Sequence, residues 1–329
     1  MATAALIREE PQAASDTFHA QFRQDVLAGL SQARKAIPAR WFYDHRGSEL
    51  FEQITVLPEY YPTRTEVSIL AEHCGEIARA VGPGRVVVEF GAGSATKTPL
   101  LLDCIAPAGY VPIDISGDFL RESCAPLVAR YPDLPIHPVE ADFGEPARLP
   151  AALSLQPRLG FFPGSTIGNM EPAAATDLLR TMRATLGAGS LLLIGMDRIK
   201  DEAVLTAAYD DAQGVTAEFN LNLAHRINRE LDGSIPVEAL QHRAVWNEAR
   251  ARIEMHLEAR RDIAFEVAGR SFALERGETI HTENSHKYDE RSGTTLLLAG
   301  GWEPRHTWMD ADRRFMVILA QAIGDDQTA

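Results

Sequence analysis

The sequence predicts an α/β fold: a parallel sheet with helices on both faces, a closing C-terminal antiparallel hairpin, and an inserted α+β region. Three observations carry this expectation. A short, mostly apolar run, Val86–Phe90, ends abruptly in the glycine turn Gly91-Ala-Gly93. Short apolar runs then alternate with segments of helical spacing as far as Asp197. Near the C-terminus, two runs of strand character flank the polar stretch Asp310–Arg313.

Taken in order, Thr65–Val81 reads as a helix, with Val67, Leu70, Ile77 and Ala78 near helical spacing. Val86–Phe90 is too short for a buried helix and is followed by glycine, so it reads as a strand. Further strands are expected at Tyr110–Ile115, Ile136–Val139, Leu159–Pro163 and Ser190–Met196. Helices are expected at Asp118–Arg130 and at Pro172–Leu186, the latter with proline at its start. Such alternation builds a parallel sheet covered on both faces. Beyond Asp197 the order changes. Glu202–Leu223 reads as one long helix and Glu238–Glu266 shows strand-like alternation. Arg305–Met309 and Arg314–Ala320 read as the closing hairpin. The sheet domain is therefore assigned to residues 64–198 and 289–325 and the inserted substrate-binding domain to 17–63 and 199–288, with residues 1–16 as a mobile tail.

A chain of 329 residues, 45% hydrophobic, can bury a substantial core in one large domain or two joined ones. The formal net charge of -14, without a long basic run, argues against nucleic acid and against an anionic membrane surface as partners. No apolar run approaches transmembrane length, and the acidic N-terminal segment lacks the apolar core of a signal peptide. Cys74, Cys104 and Cys124 show neither disulfide arithmetic nor metal-ligand spacing, which suits a reducing cytoplasm. No strongly apolar exposed helix face stands out, so a monomer is expected.

The glycine turn locates a ligand. Gly91 and Gly93 allow backbone angles and a close approach that a Cβ would forbid. About 20 residues later Asp114 ends the next strand, where a carboxylate can take both hydroxyls of a ribose. The third glycine of a dinucleotide fingerprint is replaced by Thr96, followed by Lys97. Glu89, just before the turn, would repel a pyrophosphate but can face a cationic amino-acid tail. Asp142 follows the next strand, placed to accept from an exocyclic adenine amine while Phe143 packs on the ring. Acids at three successive strand ends resemble the S-adenosylmethionine site of the class I methyltransferases, whose Rossmann-like sheet also closes with an antiparallel hairpin. That cofactor is favoured over a nicotinamide dinucleotide.

A second group of motifs lies on the substrate side. Trp41-Phe-Tyr-Asp44 and Leu57-Pro-Glu-Tyr-Tyr-Pro-Thr-Arg-Thr-Glu66 precede the first sheet strand. Prolines on either side of Tyr60 and Tyr61 favour extended or turn conformations that can point hydroxyls into a cavity. Gly164-Ser-Thr-Ile-Gly-Asn169 follows the fourth strand, at the edge where ligands sit in open α/β sheets. Its central threonine excludes the nucleophile elbow it imitates. None of the histidines at 45, 225, 256, 281 and 286 has metal-ligand spacing.

With Tyr209-Asp-Asp-Ala-Gln-Gly-Val-Thr-Ala-Glu-Phe-Asn220, Arg252-Ile-Glu-Met-His256 and Thr282-Glu-Asn-Ser285, these motifs resemble, in order and over about residues 20–325, the ergothioneine-pathway histidine Nα-methyltransferases. The resemblance implies transfer of methyl groups from S-adenosylmethionine to the α-amine of L-histidine, three times in all to give hercynine, without a metal. It implies that Tyr60, Asn169 and Tyr209 hold the substrate carboxylate, and that Tyr43 and Asn169 stand near the amine. Glu283 and Ser285 would hydrogen-bond the imidazole beside Met255. Gly91, Lys97, Asp114, Asp142 and Phe143 would line the cofactor, joining Glu89 and Gly93 already read from the turn, with Gly164 and Thr166 where the two sites join. Glu-x-Ser on an extended segment places both side chains on one face. Phe51 and Tyr43 could offer cation–π contact to a growing quaternary ammonium. Methylation of another amino acid such as tryptophan is disfavoured by Glu283 and Met255. A scaffold without catalysis is disfavoured by the presence of both sets of motifs.

Overall fold

A computed structural model describes residues 11–93, 97–115, 117–153 and 155–324. In chain order it begins with helices α1 (Pro11–Leu30), α2 (His45–Thr55), α3 (Tyr61–Glu72) and α4 (Cys74–Val81). The alternating part follows as β1 (Val86–Phe90), α5 (Thr98–Cys104), β2 (Gly109–Asp114), α6 (Gly117–Arg130) and β3 (Val139–Glu140). It continues through β4 (Arg158–Phe162), α7 (Pro172–Leu186) and β5 (Leu191–Asp197). Helices α8 (Glu202–Tyr209) and α9 (Val215–Glu230) lead into β6 (Leu240–Asn247), β7 (Arg252–Ala259), β8 (Ile263–Val267), β9 (Arg270–Leu274) and β10 (Thr279–His286). The chain closes with α10 (Glu290–Ala299), β11 (Trp302–Met309) and β12 (Phe315–Ala322).

Seven strands form the main sheet in the order β11-β12-β5-β4-β1-β2-β3. Strands β3, β2, β1, β4 and β5 run parallel, and β12 pairs antiparallel with both β5 and β11. Successive residues of β1 go to opposite faces, as strand geometry requires. Val86, Val88 and Phe90 join a core with Phe162, Ile194 and Trp302, while Val87 joins another with Tyr110, Phe161, Leu193 and Phe315. Both faces are covered, so β1 is buried throughout and reads as an unbroken apolar run apart from Glu89.

The chain forms two compact units. One holds the described residues up to Phe42, Ala217–Arg243 and Met255–Glu283; the other holds Tyr43–Thr216, Ala244–Glu254 and the chain from Asn284. These limits differ from the sequence-based assignment, because α2, α8 and the stretches 244–254 and 284–288 go with the main sheet. Within the smaller unit, Arg226 donates to the Trp41 carbonyl at 2.9 Å and to Glu230 at 3.0 Å, with its guanidinium 4.6 Å from the Phe22 ring centre.

Several expectations need correction. Residues 1–10 of the expected tail lie outside the described residues, and α1 takes in residues 11–16. The helix expected over 65–81 is two, parted at His73, with the poor helix former Gly75 at the start of the second. The long helix expected over 202–223 is also two. The Asp211 carboxylate accepts from the backbone N–H groups of Val215 and Thr216 and so caps α9 afresh. Helix α10, capped by Asp289 and Ser292, lies where no element was assigned. Cys74 and Cys104 are joined in a disulfide, their Cα atoms 5.5 Å apart, leaving only Cys124 free. Packing of α4 on α5 brings these two cysteines together, and the cysteine argument for a reducing compartment falls with it. Among the described residues, no helix is long and apolar enough to cross a membrane.

Candidate active site

Strands β1, β2, β4 and β5 end at one edge of the main sheet, and the candidate residues of the larger unit follow those ends. The glycine turn leaves β1 with Gly91 at φ +70° and Gly93 at φ +51°, both left-handed. The Gly91 N–H donates to Ile113 at 2.8 Å, binding the turn to β2. The Gly93 N–H donates to the Asp114 carboxylate at 3.0 Å, so the expected ribose acid is anchored on the turn itself. Thr96 lies outside the described residues. Asp142 accepts from the Gly144 N–H at 2.8 Å, a local turn bond. Phe143 sits edge-on to Phe162 at 5.9 Å, and its ring lies where a side chain on Gly91 would meet it at 3.3 Å.

Glu89 differs from its expected exposure to a cationic tail. It is fully buried, and its Oε2 accepts from the Thr98 hydroxyl at 2.6 Å and from Tyr110 at 2.7 Å. Burial pushes its carboxyl up to about 7, although both hydrogen bonds and nearby Lys97 pull the other way.

Lys97 reaches back to Glu66, its Nζ 2.5 Å from the buried carboxylate. That carboxylate also accepts from the Gly164 N–H at 2.8 Å. One acid thus ties the residue after the glycine turn to the turn after β4. Gly195 makes room for it, because a Cβ there would stand 2.0 Å from the Glu66 Oε1. Glu66 belongs to a quoted motif but was given no role by the sequence.

The turn after β4 is unusual. Gly164 at φ +82° and Ser165 at φ +58° are consecutive left-handed residues. The Ser165 hydroxyl accepts from the Asp197 N–H at 2.9 Å, and the Thr166 hydroxyl donates to the Pro163 carbonyl at 3.1 Å. A short 3-10 turn, Thr166–Asn169, then presents Asn169. Gly168 lies against the backbone of His286, whose carbonyl would stand 2.8 Å from an added Cβ, so no larger residue fits beneath Asn169 without moving that turn.

Aromatic rings form a chain of edge contacts. Tyr43 meets Phe51 at 5.7 Å, Phe51 meets Tyr60 at 6.2 Å, and Tyr60 meets Tyr209 at 6.2 Å. The Tyr209 hydroxyl lies 2.6 Å from the Ser285 hydroxyl. Behind this pair is a feature absent from the sequence reading. Lys287, its side chain wholly buried, donates to the Tyr209 and Ser285 hydroxyls, each at 2.8 Å, and pairs with Asp197 at 2.8 Å. Asp197 also accepts from Tyr61 at 2.7 Å and from Lys200 at 2.6 Å. Burial alone would raise the Asp197 carboxyl, but Lys287 and Lys200 hold it below its ordinary value. Burial lowers the Lys200 ammonium to about 8 against the pull of Asp197.

Met255 and Glu283 belong to the smaller unit, where both are buried. There the Thr282 hydroxyl lies 2.8 Å from Asn220 Oδ1 and 3.0 Å from the Met255 carbonyl, joining three of the quoted motifs. The Glu-x-Ser sequence does fall on a strand, β10. His281 donates from Nε2 to the Glu283 carbonyl at 2.9 Å and stacks on His256 at 4.9 Å.

The sequence model of a family described as histidine-specific methyltransferase, SAM-dependent, matches residues 22–322. A histidine N-alpha-methyltransferase of Mycolicibacterium smegmatis is 41% identical, over 93% of this chain and 97% of that protein. The Mycobacterium tuberculosis protein of the same name is 39% identical, over 93% and 96%. Among solved structures, the magnesium protoporphyrin IX methyltransferase of Synechocystis PCC 6803 is similar with a TM-score of 0.47 at 10% identity, over 86% of this chain and 97% of that one.

Proposed function

The chain belongs to the histidine-specific, S-adenosylmethionine-dependent methyltransferases, and from that premise we propose that it methylates the α-amine of L-histidine three times, giving hercynine for ergothioneine synthesis. The observation that carries this reading is the Lys97–Glu66–Gly164 bridge. It ties the glycine turn expected to hold the cofactor to the turn expected to hold the substrate.

Each cycle is an in-line displacement. The amine lone pair forms an N–C bond as the bond from the methyl carbon to sulfur breaks, and the sulfonium leaves as a neutral thioether. The sulfonium already activates the methyl group, so the step calls on no metal. The chain's own task is alignment, with the reacting atoms held at roughly 3–3.5 Å. An ammonium has no lone pair, so the amine must lose a proton before each attack. Tyr43 and Asn169 are assigned to position that amine, with Tyr43 or a water carrying the proton away. A phenol of ordinary pKa about 10 is a poor base, so positioning comes first. Tyr60 and Tyr209 are assigned to the substrate carboxylate. Glu283, Ser285 and Met255 are assigned to the ring, and Gly91, Gly93, Lys97, Asp114, Asp142, Phe143 and Thr166 to the cofactor. A monomer is part of the same proposal, resting on the lack of a strongly apolar exposed helix face in the sequence; a cytoplasmic location is proposed from the small-molecule reaction alone, since the cysteines no longer support it.

The test is a mass-spectrometric assay with S-adenosylmethionine and each of the twenty amino acids separately. A gain of three methyl masses on histidine alone is expected. Methylation of a different amino acid would overturn the substrate, and no methylation of any would overturn the activity. Tyr43→Phe should lower the rate; full retention would remove the proton-handling role.

A further inference from the structure

We propose that the buried cluster of Lys287, Asp197 and Lys200 supplies the positive charge that selects a substrate with a free carboxylate, Lys287 acting through Tyr209 as a positioning residue. This rests on the assignment of Tyr60, Asn169 and Tyr209 to the substrate carboxylate, and it deepens that reading. Those three side chains offer hydrogen bonds but no formal positive charge. Tyr60 and Tyr209 are buried, and a carboxylate taken out of water against neutral donors alone is costly unless a cation stands near. Lys287 is that cation. Its side chain is wholly buried, with Nζ 2.8 Å from the Tyr209 hydroxyl and 4.6 Å from the centre of that ring.

An ammonium only donates, so the Tyr209 oxygen accepts from it and the single phenolic proton is never drawn toward Lys287. Where Tyr209 gives that proton to the substrate carboxylate, two hydrogen bonds in series bring the anion within roughly 5 Å of the ammonium. The attraction between the two charges acts through space and asks nothing further of either hydroxyl. The charge on Lys287 is not cancelled inside the cluster. Asp197 is the acid paired with it among the described residues, and that carboxylate is shared with Lys200 at 2.6 Å. Tyr61 from α3 also donates to Asp197, and burial together with Asp197 keeps it a neutral phenol. Asp310, in the turn between β11 and β12, attracts Lys200 rather than pairing with Lys287. Two ammonium groups around one buried carboxylate leave a net positive charge beside Tyr209. An α-amino acid brings the anion that balances it, whereas the corresponding amide, ester or simple amine does not.

The experiment titrates L-histidine and L-histidinamide, each at pH 7, into the S-adenosylhomocysteine complexes of wild type, Lys287→Met and Lys200→Met, with calorimetry giving each Kd. Wild type should bind histidine at least about tenfold more tightly than the amide. Lys287→Met should weaken histidine about tenfold and the amide less than about twofold, so that the preference for the carboxylate collapses. The amide shares the ring and the amine, so a merely structural loss would weaken both ligands alike. Lys200→Met leaves Lys287 matched one to one with Asp197 and should reduce the same preference by about threefold. If Lys287→Met fails to bind S-adenosylhomocysteine, Lys200→Met decides, since the Lys200 side chain reaches the surface. Equal losses for the two ligands in the deciding variant, or a wild type that binds the amide as tightly as histidine, would overturn the inference. A wild type that neither binds nor methylates histidine would instead overturn the functional reading, and this one with it.

Discussion

Two carboxyl groups of the main sheet, both fully buried, are treated in opposite ways. Glu89 on β1 is held by two hydroxyls, and burial pushes it up to about 7. Asp197 at the end of β5 is held by two ammonium groups and stays below its ordinary value. Burial is the same for both, so the kind of partner decides the charge. Hydroxyls satisfy the oxygens without compensating the charge; ammonium groups do both. Lys200 and Lys287 come from the loop after β5 and the chain after β10, not from the parallel strands. The shared scaffold thus provides both carboxyl groups; segments outside the parallel strands keep Asp197 ionised, whereas Glu89 is held by Tyr110 of β2 and Thr98 of α5.

The largest effect should come from breaking the Asp197 side of this contrast. Asp197→Ala leaves Lys287 wholly buried and Lys200 largely so, with no acid between them. Removing one partner of a buried ion pair costs about 3–5 kcal/mol. Urea unfolding should show that loss, and adding Lys287→Met should recover part of it by removing the orphaned charge. A loss below about 1 kcal/mol would mean that the ammonium groups do not depend on Asp197, and the contrast would fail.

The legibility of these features follows their range along the chain. Strand β1 and its glycine turn, the limits of α7, and the hairpin β11–β12 are written in local period and in glycine and proline, and all were readable. The acids Asp114 and Asp142 were readable because strand ends are. The breaks at His73 and at Asp210–Gly214 were not, since a continuous apolar spacing conceals a cap such as Asp211. The Cys74–Cys104 disulfide depends on how α4 meets α5, which no spacing encodes. Lys287 and Lys200 look in sequence like any solvated lysine. Only the folded chain places both beside Asp197, one from the next loop and one from beyond β10.

The next effect belongs to Glu89. In the folded chain its proton is held up to about 7, whereas the unfolded chain releases it near the ordinary 4.5. Between those values the folded state binds more protons, so stability falls as pH rises through that window and is fully present only below it. The loss amounts to about 3 kcal/mol. Glu89→Gln keeps an oxygen for Thr98 and Tyr110 but has no proton to lose, so its stability should exceed that of wild type increasingly from pH 5 to pH 7. Parallel curves for the two proteins would show that Glu89 is ionised throughout, and the difference from Asp197 would disappear.

Glu66 stands between these extremes, with one ammonium, Lys97, and one backbone donor, Gly164. Its replacement should accordingly have the smallest effect. Glu66→Gln preserves shape in the space left by Gly195 and can still accept from the Gly164 N–H, but it no longer compensates Lys97. A hydrogen bond to a charged group contributes roughly 1.5–3 kcal/mol, and the amide retains part of that. Titration with S-adenosylhomocysteine should therefore show affinity reduced about tenfold, the equivalent of about 1.4 kcal/mol. Stability should change less, because Lys97 can swing toward water once its partner is neutral, an escape that Lys287 does not have. Unchanged affinity with reduced stability would make the bridge a brace for the two turns alone. Reduced affinity with unchanged stability would mean that the charge on Glu66 acts through Lys97 on the cofactor.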